Sequence, residues 1–169
     1  MIERTLIIFK PDAIQRGIMG EIMTRFERAG LKIVGMKMLQ PTQEHYHQHY
    51  EGIGKMISRR GQKPFDVTVE MMQRGPVIAT VLEGVESVAL VRKMVGTTEP
   101  KSAAPGTIRG DFAHMSFAYA DEASVGVPNL LHASGDPEEA AQEIAHWFSE
   151  SELFNYEAAH ELHTQSKKK

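Results

Sequence analysis

Runs of consecutive apolar residues mark the predicted strands of the chain. Residues 6–9 are an unbroken apolar run, and residues 77–82 are apolar apart from Thr80. Both patterns are typical of strands that are buried on both faces. Residues 31–39 predict a further strand, which ends before Pro41. A short apolar run before His132 predicts a last, brief strand.

Four other segments place apolar residues three and four positions apart, which is the spacing of one helix face. They are residues 20–29, 64–73, 85–95 and 140–148. Together with the strands they predict an α+β domain, with helices on one face of an antiparallel sheet. The order of the elements favours a ferredoxin-like split β-α-β sandwich with additional helices.

The last of these helices carries an acidic residue inside its apolar face. Asp136 can cap the helix, and Glu139 can complete a capping box. Glu143 lies within the apolar stripe, where a carboxylate needs a polar partner. His132 and Ser134 are close enough in the chain to provide one. The pattern therefore predicts an imidazole that is held by Glu143.

Polar segments in the first half of the chain allow more than one interpretation. The spacing of His45 and His49 would allow a metal site on a short helix that Thr42 caps. A solvent-exposed surface helix is favoured, because no acid or cysteine completes such a site.

Residues 52–62 contain three glycines and two arginines. They are predicted as a mobile basic loop, with a solvated connection favoured over a contact for a polyanion. Residues 117–128 lack periodicity and are predicted as a structured loop.

Composition limits the classes of protein to which the chain can belong. Its 169 residues are enough for one domain with a sizeable core, and 41% hydrophobic residues with 24% charged residues are typical of a globular protein. A formal net charge of -3 provides no overall basic field for nucleic acid. The absence of cysteine from the sequence fits a reducing compartment. The first apolar run is too short for a signal peptide or a membrane span, so we expect a cytoplasmic protein without a membrane partner.

A histidine close to several cations can carry phosphoryl chemistry. The neutral imidazole of His132 has a lone pair that can attack phosphorus. Lys10, Arg92, Thr98 and Arg109 could surround the transferred group, and Mg²⁺ could arrive with a nucleotide. Each of these residues is ordinary by itself. Taken alone, His132 is better interpreted as a structural residue, and composition does not decide its role.

Several motifs stand in the order found in one enzyme family. They are Lys10-Pro11-Asp12-Ala13, residues 17–21, Pro100, Pro105-Gly106-Thr107-Ile108-Arg109-Gly110-Asp111-Phe112 and Asn129-x-x-His132-Ala133-Ser134. With this arrangement the chain resembles nucleoside diphosphate kinases from Glu3 to about Tyr156. The resemblance implies a ferredoxin-like kinase domain over residues 1–156 and a polar C-terminal tail over residues 157–169. It also implies ping-pong transfer of the terminal phosphate of a nucleoside triphosphate, mainly ATP, to nucleoside diphosphates through phosphorylated His132.

The resemblance implies a role for each residue of the phosphate site. His132 is similar to the family's phosphorylated nucleophile, and Glu143 and Ser134 are similar to the groups that hold its ring. Tyr50 resembles a tyrosine beside Lys10 at the phosphate end. The expected catalytic residues are therefore His132, Glu143, Ser134, Lys10 and Tyr50.

A second, overlapping set is expected to bind ATP or a nucleoside diphosphate. It consists of Lys10, Phe65, Arg92, Thr98, Arg109, Asn129 and Val69. By resemblance, Phe65 is expected to stack on the base with Val69 beneath it, and such stacking accepts every base. Asn129 and Lys10 are expected at the ribose hydroxyls. The residues expected at the phosphates are Lys10, Arg92, Thr98 and Arg109.

The resemblance also implies a cofactor and partners. Mg²⁺ is expected as the cofactor, held mainly by the nucleotide phosphates and not by protein side chains. The expected partners are nucleoside di- and triphosphates and further copies of the chain, in a hexamer or a tetramer of dimers. Neither nucleic acid nor a membrane is expected as a partner.

The chain departs from the family pattern at three places. Ala133 stands where the family has glycine, a small change that we expect to be tolerated. Residues 52–62 and 113–128 are longer than in typical members. The second wall of the base site falls in the latter segment, where Val127 is a candidate.

Two functions other than that of an active kinase are compatible with the fold. One is that of a relative that has kept the fold but changed its substrate, and the full set of expected residues argues against it. The other is that of a nucleotide- or RNA-binding module. The near-neutral overall charge and the lack of aromatic residues along the strand faces weigh against RNA.

Overall fold

Four strands form the antiparallel sheet of the computed structural model, in which residues 1–165 are described. The strands are β1, Ile2–Phe9; β2, Lys32–Leu39; β3, Val77–Val85; and β4, Leu131–Ala133. Their order is β2-β3-β1-β4, and each neighbouring pair is antiparallel. The apolar segments at residues 6–9 and 77–82 lie in the central strands β1 and β3. The predicted α+β class with an antiparallel sheet is confirmed.

The described α-helices pack around this sheet. They are α1, Pro11–Gln15; α2, Met19–Arg28; α3, Gln43–His47; α4, Met56–Arg60; α5, Gln62–Met72; α6, Ser87–Val95; α7, Ile108–Phe112; α8, Phe117–Ala123; α9, Pro137–Trp147; and α10, Glu161–Thr164. A π-helix spans Gln48–Ile53, and 3₁₀ turns span Pro100–Ser102 and Glu150–Glu152. Helices α2, α5, α6 and α9 are those predicted from periodicity. None of the helices within residues 1–165 has the length and apolar character needed to cross a membrane.

Helices cover both faces of the sheet, whereas the sequence predicted one covered face. Successive residues of a strand point to opposite faces. In β1, Leu6 and Ile8 belong to one buried cluster, on which α5 and α9 pack. Ile7 and Phe9 belong to a second cluster, on which α2 and α6 pack. The prediction of one covered face is wrong because the same unbroken run that marks β1 requires burial on both sides.

The segment before α5 is helical, so the predicted loop at residues 52–62 is wrong, and the predicted surface helix is exposed in α3 but not at His49. The Thr42 hydroxyl accepts a hydrogen bond from the His45 N–H at 3.1 Å and starts α3, as predicted. The π-helix then buries His49, which is 1% exposed. Both histidine rings pack edge-on against Trp147 of α9. Glycines permit a loop in this segment but do not require one, and α4 follows directly.

Two segments for which the sequence predicted no helix contain short helices. The Thr107 hydroxyl accepts from the Gly110 N–H at 3.1 Å and starts α7. The Ser116 hydroxyl accepts from the Tyr119 N–H at 3.2 Å and starts α8. Both are side-chain caps of the kind that begin helices, and the helices are too short to show a clear period. The predicted structured loop at 117–128 is therefore corrected to a helix followed by a connection.

The predicted C-terminal tail contributes to the fold where it is described. Helix α10 places Glu161 beside Lys32 at the start of β2, with 2.7 Å between Glu161 Oε1 and Lys32 Nζ. The same Nζ lies 2.7 Å from Glu83 Oε1 of β3 and donates to the Tyr156 carbonyl at 3.0 Å. Residues 166–169, the end of the tail, lie outside the described residues.

Candidate active site

A cavity of about 620 Å³ lies at the end of β1 and along β4, and helices α4, α5, α6 and α8 complete its walls. The predicted site residues that line it are His132, Glu143, Lys10, Tyr50, Arg92, Thr98, Arg109 and Asn129. Ser134 lies behind Glu143 and is bonded to it. The structure thus brings together the residues predicted around the phosphates and separates them from Phe65 and Val69.

His132, Glu143 and Ser134 form a hydrogen-bonded set. His132 Nε2 donates to Glu143 Oε1 at 2.7 Å, and Ser134 Oγ donates to Glu143 Oε2 at 2.6 Å. The backbone N–H of Leu6 donates to Ser134 Oγ at 3.1 Å, which ties the set to β1. Burial alone would raise the pKa of Glu143, but the charge of His132 and its hydrogen bond lower that pKa to about 2. Because a carboxylate can only accept, Nε2 of His132 carries a proton, and in the neutral form of the ring Nδ1 keeps a free lone pair.

The turn between β4 and α9 is fixed by the helix cap. Asp136 Oδ1 accepts from the Glu139 N–H at 2.8 Å, as predicted. Glu139 does not close the predicted capping box, because its Oε2 accepts instead from the Gly135 N–H at 3.1 Å. These bonds fix the start of α9. Glu143 lies about two helical turns further along the helix, where it contacts His132.

Lys10 and Asn129 join the end of β1 to the loop before β4. Lys10 Nζ donates to Asn129 Oδ1 at 2.7 Å, and Asn129 Nδ2 donates to the Thr98 carbonyl at 2.8 Å. Lys10 is only 7% exposed. Its burial, followed by the charge of Arg109, lowers the pKa of Lys10 to about 8. A phosphate at this position would restore the charge that burial disfavours.

Arg109 is held by backbone carbonyls at the wall of the cavity. Its Nε donates to the Asn129 carbonyl at 3.0 Å, and Nη2 donates to the Leu131 carbonyl at 2.5 Å. Nη1 donates to two carbonyls of the loop after α6, both at 3.2 Å. Burial lowers the pKa of Arg109 to about 10. These bonds use four of the five N–H donors of the guanidinium and leave one for a ligand.

Other polar groups at the cavity are not fully engaged. Arg92 is exposed, and its Nη1 makes a long 3.5 Å bond to the Ser134 carbonyl. The Thr98 side chain is exposed. Tyr50 is buried, which raises the pKa of its phenol, and among the described residues its Oη has no hydrogen-bond partner. Arg92 can therefore donate hydrogen bonds to a ligand in the cavity, and the hydroxyls of Thr98 and Tyr50 can donate or accept them.

Phe65 and Val69 do not fit the predicted base site. Phe65 is 5% exposed and Val69 is 4% exposed, and both belong to the core cluster between α5 and the sheet. The opposite side of α5 meets the cavity through Pro64, Val67 and Thr68. The stripe that predicted α5 is therefore its core face, which is the ordinary position of an apolar stripe.

Phe117 and Arg60 line the cavity and were missed as site residues. Phe117 opens α8 and is 36% exposed. The guanidinium carbon of Arg60 lies 5.7 Å from the centre of its ring, so α4 and α8 meet across the cavity. The cap at Ser116 was the available signal for α8, but it did not indicate which way the ring would face. Val127, the sequence-based candidate for a second wall, also lines the cavity.

His49 also lines the cavity and was not assigned a site role from the sequence. Its ring lies 4.6 Å from that of His132, measured between centres and with the rings nearly perpendicular. Within the described residues, these two histidines and Glu143 lie close enough together to hold a metal ion, with ligand atoms within 4.8 Å of one another. Their facing atoms already bond to each other and to Trp147. We therefore interpret these three residues as engaged with protein partners, His132 with Glu143 and His49 with Trp147.

Sequence comparison identifies the family. The model of the family described as nucleoside diphosphate kinase matches residues 3–153. A nucleoside diphosphate kinase of Pyrococcus horikoshii is 47% identical over 158 residues, covering 93% of this chain and 92% of the relative. One from Borreliella burgdorferi is 41% identical over 156 residues, covering 92% and 93% of the two chains.

Structural comparison agrees. A nucleoside-diphosphate kinase from Borrelia burgdorferi, solved as a transition state mimic with bound vanadate and ADP, has a TM-score of 0.93 and 40% identity, with 96% of each chain covered. A halophilic enzyme from Halobacterium salinarum in complex with CDP has a TM-score of 0.83 and 34% identity, with 98% of this chain and 100% of that chain covered. With its antiparallel sheet, its cavity and these matches over nearly the whole length, the chain belongs to the nucleoside diphosphate kinase family.

Proposed function

We propose that this chain carries out the family's reaction with His132 as the phosphate carrier. In the first step, His132 Nδ1 attacks the terminal phosphorus of a nucleoside triphosphate. An N–P bond forms, the bridging P–O bond breaks, and its electron pair leaves with the nucleoside diphosphate. In the second step, a nucleoside diphosphate takes the phosphoryl group from His132 by the reverse chemistry. The observation that carries the proposal is the bond from His132 Nε2 to Glu143, which leaves Nδ1 free to attack.

The cationic wall of the cavity supports this step. Phosphoryl transfer is catalysed mainly by positioning and by stabilising negative charge. Lys10, Arg92 and Arg109 line the cavity together with His132. The unpartnered Oη of Tyr50 adds a neutral donor, and Thr98 adds an exposed hydroxyl. We assign these five residues to the phosphates and Asn129, bonded to Lys10, to the ribose.

We assign the base to the part of the cavity between α5 and α8. Phe117 offers a partly exposed aromatic face there, and Pro64 and Val67 face it from α5. Stacking on an aromatic ring tolerates every base, which suits an enzyme that accepts purine and pyrimidine nucleotides. Phe117 takes the role that the sequence gave to Phe65.

Mg²⁺ fits this site as an ion held mainly by the nucleotide phosphates. The carboxylates that line the cavity are Asp121, Glu139 and Glu143. Both oxygens of Glu143 accept hydrogen bonds, and Glu139 Oε2 is bonded to the Gly135 N–H. Mg²⁺ commonly binds through substrate phosphates, one or two carboxylates and waters. When bound, it would neutralise phosphate charge and help orient the transferred group.

The family resemblance suggests an oligomeric state for the enzyme, and the composition suggests a compartment. We propose that it assembles as a hexamer or a tetramer of dimers, which sedimentation velocity distinguishes. Its lack of cysteine is consistent with the cytoplasm, the proposed compartment.

Labelling with γ-³²P-ATP tests the phosphate carrier. We expect the wild type to take up a label that is acid-labile and alkali-stable, His132→Ala to take up none, and the matched His163→Ala variant, exposed in α10, to match the wild type. An unlabelled wild type, or a labelled His132→Ala variant, would refute the proposal. Nucleotide affinity without any label would instead indicate a binding module.

A further inference from the structure

His49 has a hydrogen-bonding arrangement that the proposed reaction does not yet use. Its ring is 1% exposed and lines the cavity next to His132. Trp147 Nε1 bonds to its Nδ1 at 3.2 Å. Its other nitrogen, Nε2, is buried and has no partner among the described residues. A buried polar atom without a partner is uncommon and indicates an unseen partner or a functional role.

The bond from Trp147 determines where the proton of His49 lies. An indole N–H can only donate, so His49 Nδ1 must accept. Burial, followed by the nearby charge of His132, holds the pKa of His49 well below its usual range, so its ring is neutral. A neutral imidazole has one N–H and one lone pair. The lone pair is on Nδ1, and Nε2 therefore carries the proton.

Glu143 does not supply an acceptor for this N–H. Glu143 Oε1 lies 3.6 Å from His49 Nδ1, the nitrogen without a proton, and is already engaged by His132. Among the described residues the Nε2–H is therefore a buried donor without an acceptor, which is an unfavourable arrangement. The neighbouring residue of the π-helix, Tyr50, also carries a polar atom that has no partner within residues 1–165. Local π-helical geometry is often associated with function.

We infer that His49 Nε2–H donates a hydrogen bond to the phosphoryl group carried by His132. This inference rests on the proposed role of His132. In the transfer step the N–P bond forms, the P–O bond breaks, and negative charge spreads over the phosphoryl oxygens. One of these oxygens accepts the Nε2–H bond, and His49 keeps its proton throughout. A neutral donor at this place stabilises the charge on phosphorus without competing with His132 for Glu143, as a second imidazolium would.

Trp147 is the positioning residue of this arrangement. Its indole fixes the tautomer of His49, as the partner of one ring nitrogen generally does for the other. Without the indole, His49 could move its proton to Nδ1, where Glu143 Oε1 lies 3.6 Å away. Nε2 would then present a lone pair instead of an N–H to the phosphoryl oxygens, and the two would repel each other.

Nuclear magnetic resonance of ¹⁵N-histidine-labelled wild-type enzyme tests the inference directly. We expect the signals of His49, assigned by their loss in His49→Gln, to show a neutral ring protonated at Nε2. After phosphorylation by ATP and removal of nucleotide, the Nε2–H proton should move downfield as it gains an acceptor. A ring protonated at Nδ1 or at both nitrogens, or an Nε2–H that does not respond to phosphorylation, would overturn the inference. An enzyme that takes up no label at all would instead refute the role of His132.

The rate of phosphoenzyme formation in variants of His49 and Trp147 tests the inference independently. His49→Leu removes the donor and should lower the rate of phosphoenzyme formation by about 100-fold with little change in ADP affinity. His49→Gln keeps an amide N–H and should recover part of that loss. Trp147→Phe should lower the rate in the wild-type background but not further in His49→Gln. Equal rates in the wild type and a folded His49→Leu, checked by its melting curve, would contradict the inference.

Discussion

At the scale of single residues, the site depends on buried groups whose protonation is set by their neighbours. Glu143 is fully buried, and its two oxygens accept from His132 and Ser134. An ionised carboxylate without such donors would be costly in this position. The pairing therefore fixes both the charge of Glu143 and the proton position on His132.

Replacing Glu143 tests whether this carboxylate acts on the nucleophile. Glu143→Ala should lower the rate of phosphoenzyme formation by about 100-fold, because the His132 ring loses the acceptor that orients it. The dissociation constant for ADP should hardly change, since Glu143 is occupied by protein donors. Stopped-flow and calorimetry measure the two quantities. Glu138→Ala, at an exposed position of the same helix, is the control, and a large rise in the ADP dissociation constant of Glu143→Ala would contradict this role.

Lys10 should make nucleotide binding depend on pH. Burial and the charge of Arg109 place the pKa of Lys10 at about 8 in the free protein. Bound phosphates favour the charged form, so binding raises this pKa and takes up a proton above pH 8. ADP affinity should therefore be constant below pH 7 and fall by up to tenfold per pH unit above pH 8, as for about one proton.

Calorimetry at several pH values, in buffers of different ionisation enthalpy, measures both the affinity and the proton uptake. Lys10→Arg, whose charge persists throughout this range, should flatten the profile. A wild-type affinity that stays constant up to pH 9.5 would show that Lys10 does not change its protonation on binding.

At the scale of elements, the proposed base contact moves from α5, where the sequence placed it, to α8, which was predicted as a loop. The apolar stripe of α5 is directed to the core, so Phe65 stabilises the fold. Helix α8 carries Phe117 to the cavity, and the Phe117 N–H donates to Glu99 Oε1 at 2.9 Å, next to Thr98 in the chain. The proposed base contact is thereby tied to the loop that carries the proposed phosphate ligand Thr98.

Two alanine variants separate these roles. Phe65→Ala should lower the free energy of unfolding by about 3–5 kcal/mol, the usual cost of removing a buried phenylalanine ring. Phe117→Ala should leave stability nearly unchanged and weaken ADP and CDP binding alike by about 1–3 kcal/mol, the contribution of one stacked base. Tyr119→Ala, which is 60% exposed on the same helix, is the matched control. If Phe65→Ala were stable but bound nucleotide poorly, the original assignment of Phe65 would be restored.

The elements that could be predicted are those with strong local patterns. The runs of β1 and β3, the stripes of α2 and α9 and the Asp136 cap each follow from side-chain periodicity or from one local bond. The π-helix, α4 and α8 could not be found in this way. They are short, and their burial depends on residues far along the chain, such as the packing of Trp147 on His49.

The same distinction applies to the site. His132 and Glu143 could be paired from the sequence, because the helix cap and the apolar stripe place Glu143 inward. The tautomer of His49 could not be predicted from the sequence, because it is set by the indole of Trp147, 98 residues away. Phe65 was assigned from a motif alone, and only the packing of α5 shows that its ring faces the core.

At the scale of the whole molecule, the two ends of the sheet have separate functions. The cavity lies at the Lys10 end of β1. The ion pairs of Lys32 with Glu83 and Glu161 lie at the other end, since Glu83 pairs with Arg4 near the start of β1. Burial alone would raise the pKa of Glu83, but the hydrogen bonds and charges of Lys32 and Arg4 hold it below its usual value. This end therefore contributes stability that is present at neutral pH and is lost as the pH falls through the lowered pKa of Glu83.

Removing one partner of this buried group should affect stability without affecting catalysis. Glu161→Ala leaves Lys32, which is 4% exposed, with fewer acceptors. We expect the free energy of unfolding at pH 7 to fall by about 2 kcal/mol in urea titrations, while Glu138→Ala changes it little. The rate of phosphoenzyme formation should stay at the wild-type level, because the cavity is at the opposite end of β1. A variant of wild-type stability with impaired phosphorylation would show that the two ends are coupled through the sheet.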